Sequence, residues 1–355
     1  MNNMEYMAYN EIFNSSENLK KSYDYLSSRR EELVSFIRDA EPDEIVFLGS
    51  GSSYWLSMAA ALSWQRETGM RCSAIKSCDV VMDPVCFEHC FNRPLIICAS
   101  RSGMTAETNI ASERLISTYH APLLVISEAE GTPMAQRAGM FACMPWAHEG
   151  SVMQTQSFVN LYLSLIVLAA FVSDNTELLN EIQQYLDRLP QISGDVAQRT
   201  KDIRYEVFPE YRRLVSLGSG CQYGVAIEGA YVQQEIGKMQ SSYFSTLEYR
   251  HGPFLTNTDD TLFCVTSLGH DLELEEHAIA ELHRTKAKVL VISDKQELKG
   301  ADLSFSLGYA TKPEVVALYA ILIMQGLAYW QAIRSNGNPD NPSGNPDKTP
   351  YVNNL

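Results

Sequence analysis

Short continuous apolar runs punctuate this chain, each followed by a Gly- or Ser-rich turn and a longer segment of helical period. Glu44-Ile-Val-Phe-Leu-Gly-Ser-Gly-Ser-Ser-Tyr54 returns as Arg213-Leu-Val-Ser-Leu-Gly-Ser-Gly-Cys-Gln-Tyr223, an offset of 169 residues. Pro94-Leu-Ile-Ile-Cys-Ala-Ser100 is matched by Thr261-Leu-Phe-Cys-Val-Thr-Ser267, and Leu123-Leu-Val-Ile-Ser127 by Val289-Leu-Val-Ile-Ser293, in the same order. Strands that are apolar throughout are buried on both faces, which is the situation of parallel strands covered by their own crossover helices. The pattern therefore predicts an α/β fold of two tandem doubly wound parallel-sheet domains with flanking helices.

The helical segments set the boundaries. Ser15 to Ala40 has a helical period with one charged face, Thr155 to Val172 reads as a buried helix, and Thr176 to Ile203 as a more polar one. This gives an N-terminal helical segment over residues 1–40, a first domain over 41–195, a second over 196–335 and a tail over 336–355. The tail is rich in Asn, Pro, Gly and Ser and, by composition alone, reads as a frayed terminus.

Charge narrows the range of partners. A net charge of −15 excludes the concentrated basic surface that nucleic acid requires. The N-terminus lacks the basic stretch and apolar run of a signal peptide, and the apolar run from Leu161 to Val172 is interrupted by Tyr162 and Ser164, so the expectation is a cytoplasmic protein away from membranes. Eight cysteines form no C-x-x-C pair, and only Cys86, His89 and Cys90 approach a metal-ligand spacing; buried reduced thiols are expected, with no metal and no cofactor.

In open α/β sheets ligands sit beyond the carboxyl ends of the strands. There the two halves differ. The first has Ser100-Arg-Ser-Gly-Met-Thr105 opening a helix, with Ser52 and Ser53 in the neighbouring loop; the second has Thr266-Ser-Leu-Gly-His-Asp271. Hydroxyls on a Gly turn, backed by helix N–H groups, suit a phosphate monoester, and a single helix cap accounts for only one of them. One phosphate site is expected, in the first half. In the second half, Glu228 and Glu235 are seven residues apart on one helix and share a face, followed by Leu247-Glu-Tyr-Arg-His-Gly-Pro253. A Glu and a His are suitable groups for moving protons next to a carbonyl.

Ser100-Arg-Ser-Gly-Met-Thr105 resembles the phosphate loop of the sugar isomerase (SIS) family, and Gly49-Ser-Gly-Ser-Ser-Tyr54 is similar to that family's first-strand loop. The resemblance covers roughly residues 30 to 350 and implies two flavodoxin-like domains acting on a phosphorylated sugar. It places Ser53, Ser100, Arg101, Ser102 and Thr105 on the phosphate, and Ser52, Val152 and Glu248 on the sugar. It gives Glu235 as the base moving a proton between the first two carbons and His251 as the group tied to ring opening. Asn338-Pro-Asp-Asn-Pro-Ser-Gly-Asn-Pro-Asp-Lys348 resembles the family's C-terminal stretch, which makes Lys348 a third catalytic group and the tail an ordered one. A homodimer with shared active sites is also implied. Two positions depart from the pattern: Met104 stands where an acidic residue is common, and Val232 where the amidotransferase relatives carry a lysine, a position that Lys238 does not replace.

The chain opens directly into the helix before the first repeat, so no glutaminase half is expected. What remains is a phosphosugar isomerase or deaminase acting on an amino-sugar 6-phosphate or a related ketose or aldose 6-phosphate. The alternative within the class is a fructosamine-6-phosphate deglycase, since Glu248-Tyr-Arg-His-Gly-Pro253 also occurs in such enzymes. The alternative from another class is a non-catalytic phosphosugar sensor, which would need the hydroxyl loop but not Glu235, His251 and Lys348 together.

Overall fold

The computed structural model describes residues 6–294 and 297–344 of the chain. They pack into two compact units: residues 15–182, and residues 6–14 with 183–344.

The first unit contains α2 (Ser16–Ser28), α3 (Arg30–Asp39), β1 (Glu44–Gly49), α4 (Ser52–Thr68), β2 (Arg71–Lys76), α5 (Ser77–Met82), β3 (Pro94–Ser100), α6 (Ala106–Tyr119), β4 (Leu123–Ser127), α7 (Pro133–Arg137), β5 (Met140–Cys143) and α8 (Gln156–Val172). The other contains α1 (Met7–Phe13), β6 (Arg213–Leu217), α10 (Tyr223–Glu235), β7 (Gln240–Phe244), β8 (Thr261–Thr266), α11 (Leu272–Leu282), β9 (Lys288–Ser293), β10 (Leu303–Ser306) and α12 (Pro313–Arg334). The long α9 (Thr176–Asp202) contains the division between the units, upstream of residue 195.

Each unit holds one five-stranded sheet, ordered β2-β1-β3-β4-β5 in the first and β10-β9-β8-β6-β7 in the second. Every strand pair in both is parallel. Read in its own chain order, each sheet runs 2-1-3-4-5, so the sequence repeat is a repeat of topology. The order reverses between β1 and β3 and again between β6 and β8, and it is beside such reversals that a crevice opens at the strand ends.

Central strands β1, β3, β4 and β8 are buried along their whole length, which is why their sequences show no alternation. In the first unit α8 is apolar on all sides because α4, α2 and α3 pack around it, and the Trp64 indole N–H of α4 donates to the Leu165 carbonyl at 2.8 Å. In the second unit α12 plays the same part against α10. By length and composition α12 could cross a membrane, but 94% of its apolar window is buried inside the unit, as expected of a core helix.

Helix α1 packs on α12, with Tyr9 and Phe13 meeting Tyr329 edge-to-face and Tyr9 also meeting Trp330 in this way. The Met7 and Ala8 N–H groups donate to the Asp340 carboxylate at 3.0 and 2.8 Å, so an acid beyond α12 caps the first turn of α1. The described part of the tail, to Gly344, is anchored in this way; Lys348 lies outside the described residues.

The reading of the cysteines as buried needs correction. Cys98, Cys221 and Cys264 are buried, but Cys78, Cys86 and Cys90 are exposed. Cys78 lies in α5, Cys86 in the short 3-10 helix Pro84–Phe87 and Cys90 just beyond it; this segment sends Val80 and Phe87 toward the core and leaves the three thiols outward.

Candidate functional site

In the first unit β1 and β3 are adjacent and parallel, so the loops leaving them emerge side by side. The β1 loop depends on its glycines. A Cβ on Gly49 would lie 2.5 Å from the Ser53 carbonyl oxygen, and Gly51 has φ +54. This tight turn starts α4 at Ser52 and leaves Ser53 buried and Ser52 half-buried at its first turn. The Ser50 hydroxyl lies 3.0 Å from that of Thr108, and Ser77 donates to the same Thr108 oxygen, which ties this loop to the start of α6.

The β3 loop folds on its own hydroxyls. Ser100, 5% exposed, accepts the Gly103 N–H at 3.1 Å, and Ser102 accepts the Met104 N–H at 3.2 Å. Gly103 has φ +61, and a Cβ there would approach the Thr132 hydroxyl to 2.4 Å. Asn109 donates to the Gly103 and Thr105 carbonyls and accepts from Arg137, clamping the turn from below. Thr105 stands at the N-cap of α6 without a side-chain capping bond. The loop thus offers hydroxyl protons and the positive end of a 14-residue helix at one place.

Arg101 does something its position in the loop did not reveal. Its Nη1 donates to Glu149 at 3.2 Å and to the Val152 carbonyl at 3.1 Å. Glu149 has a fully buried side chain, and its other oxygen accepts the Thr155 N–H and hydroxyl at 3.0 and 2.9 Å. One carboxylate therefore fastens the phosphate-type loop to the segment bearing Val152. Nearby, Glu128 is buried and accepts from the Ser157 hydroxyl at 2.7 Å; burial and then the charge of Glu149 push its carboxyl well above the usual range. Neither glutamate was singled out from the sequence. The available signal was an arginine in a closely packed loop, which needs a counter-charge, but the sequence held several acids that could have served.

In the second unit the β6 loop repeats the first turn: a Cβ on Gly218 would lie 2.8 Å from the Gln222 carbonyl oxygen, and Gly220 has φ +58. Glu228 is fully buried within α10, and Glu235, its last residue, is half-buried. Val232 is fully buried, in a core position where a lysine would have to be desolvated. Lys238, at φ +48, is exposed. After β7 the chain turns through Glu248, Tyr249 and Arg250. The His251 N–H donates to the Glu248 carbonyl at 3.0 Å, and Gly252 at φ +125 permits the entry into Pro253. Tyr249 anchors this turn against Phe244 and Phe263, while Glu248 and His251 are exposed. Among the described residues no group of three His, Cys, Asp or Glu side chains could hold a metal ion.

The structure thus gathers Ser52, Ser53, Ser100, Arg101, Ser102, Thr105 and Val152 around the β1 and β3 loops of one unit. It puts Glu235, Glu248 and His251 in the loops and helix end of the other.

Residues 209–335 match the SIS domain family model. The chain is 24% identical over 315 residues to a glutamine–fructose-6-phosphate aminotransferase (isomerizing) of Methanosarcina acetivorans, covering 84% of this chain and 49% of that protein. It spans about half the length of such relatives. It is 25% identical over 329 residues to a D-galactosamine-6-phosphate deaminase of Escherichia coli O157:H7, covering 84% of this chain and 81% of the relative. A solved glucosamine-6-phosphate deaminase of Thermotoga maritima superposes with a TM-score of 0.81 at 25% identity, over 95% of this chain and 98% of that one. A tagatose-6-phosphate ketose/aldose isomerase of Escherichia coli shares the fold, with a TM-score of 0.83 at 21% identity over 96% of each chain.

Proposed function

Residues 209–335 form an SIS domain, and from that premise we propose that the chain is a phosphosugar isomerase or deaminase that moves a proton between C1 and C2 of a sugar 6-phosphate. The observation that carries this reading is the β3 loop, where Ser100, Ser102 and Thr105 surround a turn at the uncapped N-terminus of α6. A dianionic phosphate there would accept from hydroxyls and helix N–H groups together. Similarity to amino-sugar phosphate deaminases along most of both chains supports a deaminase within the class.

The chemistry follows from the residues. His251 assists ring opening by passing a proton to the ring oxygen. Glu235 takes the proton from C2 of the open aldose, the electron pair moves to the carbonyl oxygen to give an enediol or enaminol, and a proton returned to C1 completes the transfer. When C2 carries an amine, the product is a C2 imine, and water releases ammonia and leaves the ketose phosphate. Lys348 is the proposed amine at the sugar carbonyl. With Val232 in the core, no lysine on that turn of α10 takes part.

Two further features belong to the proposal. Phe254, 44% exposed, and Leu255, 76% exposed, follow His251 closely, which supports a homodimer in which a second copy covers this loop. Free thiols throughout the described chain suit the reducing cytoplasm.

The test is product analysis. Purified protein is supplied separately with glucosamine 6-phosphate, galactosamine 6-phosphate, fructose 6-phosphate and fructoselysine 6-phosphate. Ammonia with a ketose phosphate from an amino sugar identifies a deaminase, an aldose–ketose exchange without amine an isomerase, and free lysine a deglycase. Binding of these sugars without turnover of any of them favours a sensor.

A further inference from the structure

The two sheets allow the two β3-type loops to be compared position by position. Glu44 of β1 pairs with Pro94 of β3, and Arg213 of β6 pairs with Thr261 of β8, so Ser267 holds the place in the second unit that Ser100 holds in the first. Each serine is buried at its strand end, and each accepts a loop N–H at 3.1 Å, from Gly103 and Gly269 respectively. The buried serine has been kept, although the N–H it accepts lies three residues on in the first unit and two in the second; what lies over it has changed.

In the second unit the donors are occupied by the protein itself. Glu275, on the first turns of α11, bends back over the helix start. Its Oε1 accepts the Leu268 N–H at 2.8 Å, and its Oε2 accepts the Ser267 hydroxyl. Asp271 accepts the Leu274 N–H at 3.0 Å and so caps the same helix. This is not a capping box, in which the acid would return to the N-cap N–H, because Leu268 precedes the N-cap by three residues. In the first unit the corresponding helix α6 has no side-chain cap, and Arg101 stands where the second loop has Leu268. One loop carries an arginine paired with Glu149 and opens a helix with no side-chain cap; the other carries two carboxylates that accept from its own N–H and hydroxyl groups.

We infer that Glu275 is a built-in anion occupying the second unit's loop, so that each chain takes a phosphate monoester at the first unit's loop alone. This rests on the reading of the first loop as a phosphate site. A carboxylate with two oxygens accepting from a backbone N–H and a serine hydroxyl makes the contacts a phosphate would make, and its attachment to α11 gives it a high local concentration. The charge it leaves also repels a second anion from the loop.

The experiment is a titration of the full chain with inorganic phosphate, followed at the backbone amides by NMR, for the wild type, Glu275→Ala and Glu275→Gln. In the wild type, amides of residues 100–106 shift on binding while Leu268 and Gly269 stay in place. In Glu275→Ala, Leu268 and Gly269 shift as well, with an apparent affinity at least about tenfold above any wild-type response there. Glu275→Gln keeps the side chain's volume while removing its charge, and is expected to lie between the two. Wild-type shifts at Leu268 and Gly269 that saturate with those of residues 100–106 overturn the inference, a result that needs no variant to fold. So does a folded Glu275→Ala whose Leu268 and Gly269 remain unmoved. If residues 100–106 stay silent while Leu268 responds in Glu275→Ala, the inference stands and the assignment of the first loop falls.

Discussion

Glu149 and Arg101 face each other at 3.2 Å, the carboxylate wholly buried and the guanidinium 22% exposed. The pair joins the loop proposed to hold phosphate to the Val152 carbonyl, which accepts from the same guanidinium nitrogen. Replacing Glu149 by Gln removes the charge but keeps the shape, leaving a largely buried cation with carbonyl partners only. A stability loss of about 2 kcal/mol is expected, below the usual cost of breaking a buried pair because Arg101 retains some solvent. KM for the phosphosugar should rise about tenfold with a smaller change in kcat, since the pair positions the loop without touching the reacting carbons. Chemical denaturation and steady-state kinetics together check this; unchanged values of both would show that the pair is ornamental.

Glu128 gives a pH signature. Burial, and then the charge of Glu149, push its folded carboxyl well above the usual carboxylate range. As pH rises above the unfolded carboxylate range, the unfolded chain releases this proton and the folded chain keeps it, so the unfolded state binds fewer protons and stability falls. The contribution is fully present below the unfolded pKa and is lost as pH climbs toward the raised folded value. Glu128→Gln carries no such proton. The Tm of Glu128→Gln relative to wild type should therefore increase from pH 5 to pH 8, and parallel curves would contradict the assignment.

Gly103 is required twice, by its φ of +61 and by the 2.4 Å approach a Cβ would make to the Thr132 hydroxyl. Gly103→Ala should cost about 2 kcal/mol and weaken phosphosugar binding more than tenfold. Thermal unfolding and isothermal titration read the two effects separately. The same change at Gly131, whose Cβ would meet nothing within 4 Å although its φ is +68, isolates the backbone cost from the clash.

The topology was legible because the doubly covered strands spelled it out twice. A run such as Leu123-Leu-Val-Ile126 is apolar without alternation when both faces are covered, and its recurrence from Val289 pointed to a parallel sheet in each half. The loop hydroxyls were legible because their spacing is local. Contacts between distant residues left no such trace. Asp340 caps α1 across 333 residues, and Arg101 reaches Glu149 across 48. Glu275 was hidden differently. It reads as an ordinary exposed helix acid until the fold brings it back over Leu268. Exposed cysteines were misread because apolar neighbours such as Val85 and Phe87 suggested a core, whereas Val85 is 71% exposed.

The central claim is that Glu235 moves a proton between two carbons of a bound phosphosugar. The most direct measurement is deuterium uptake at C1 and C2 of glucosamine 6-phosphate and fructose 6-phosphate in deuterated water, by NMR, for the wild type and Glu235→Gln. Uptake in the wild type that falls by about 10²- to 10⁴-fold in the variant, with binding retained, is the predicted result. Equal uptake in both proteins, or binding without uptake in the wild type, would contradict it.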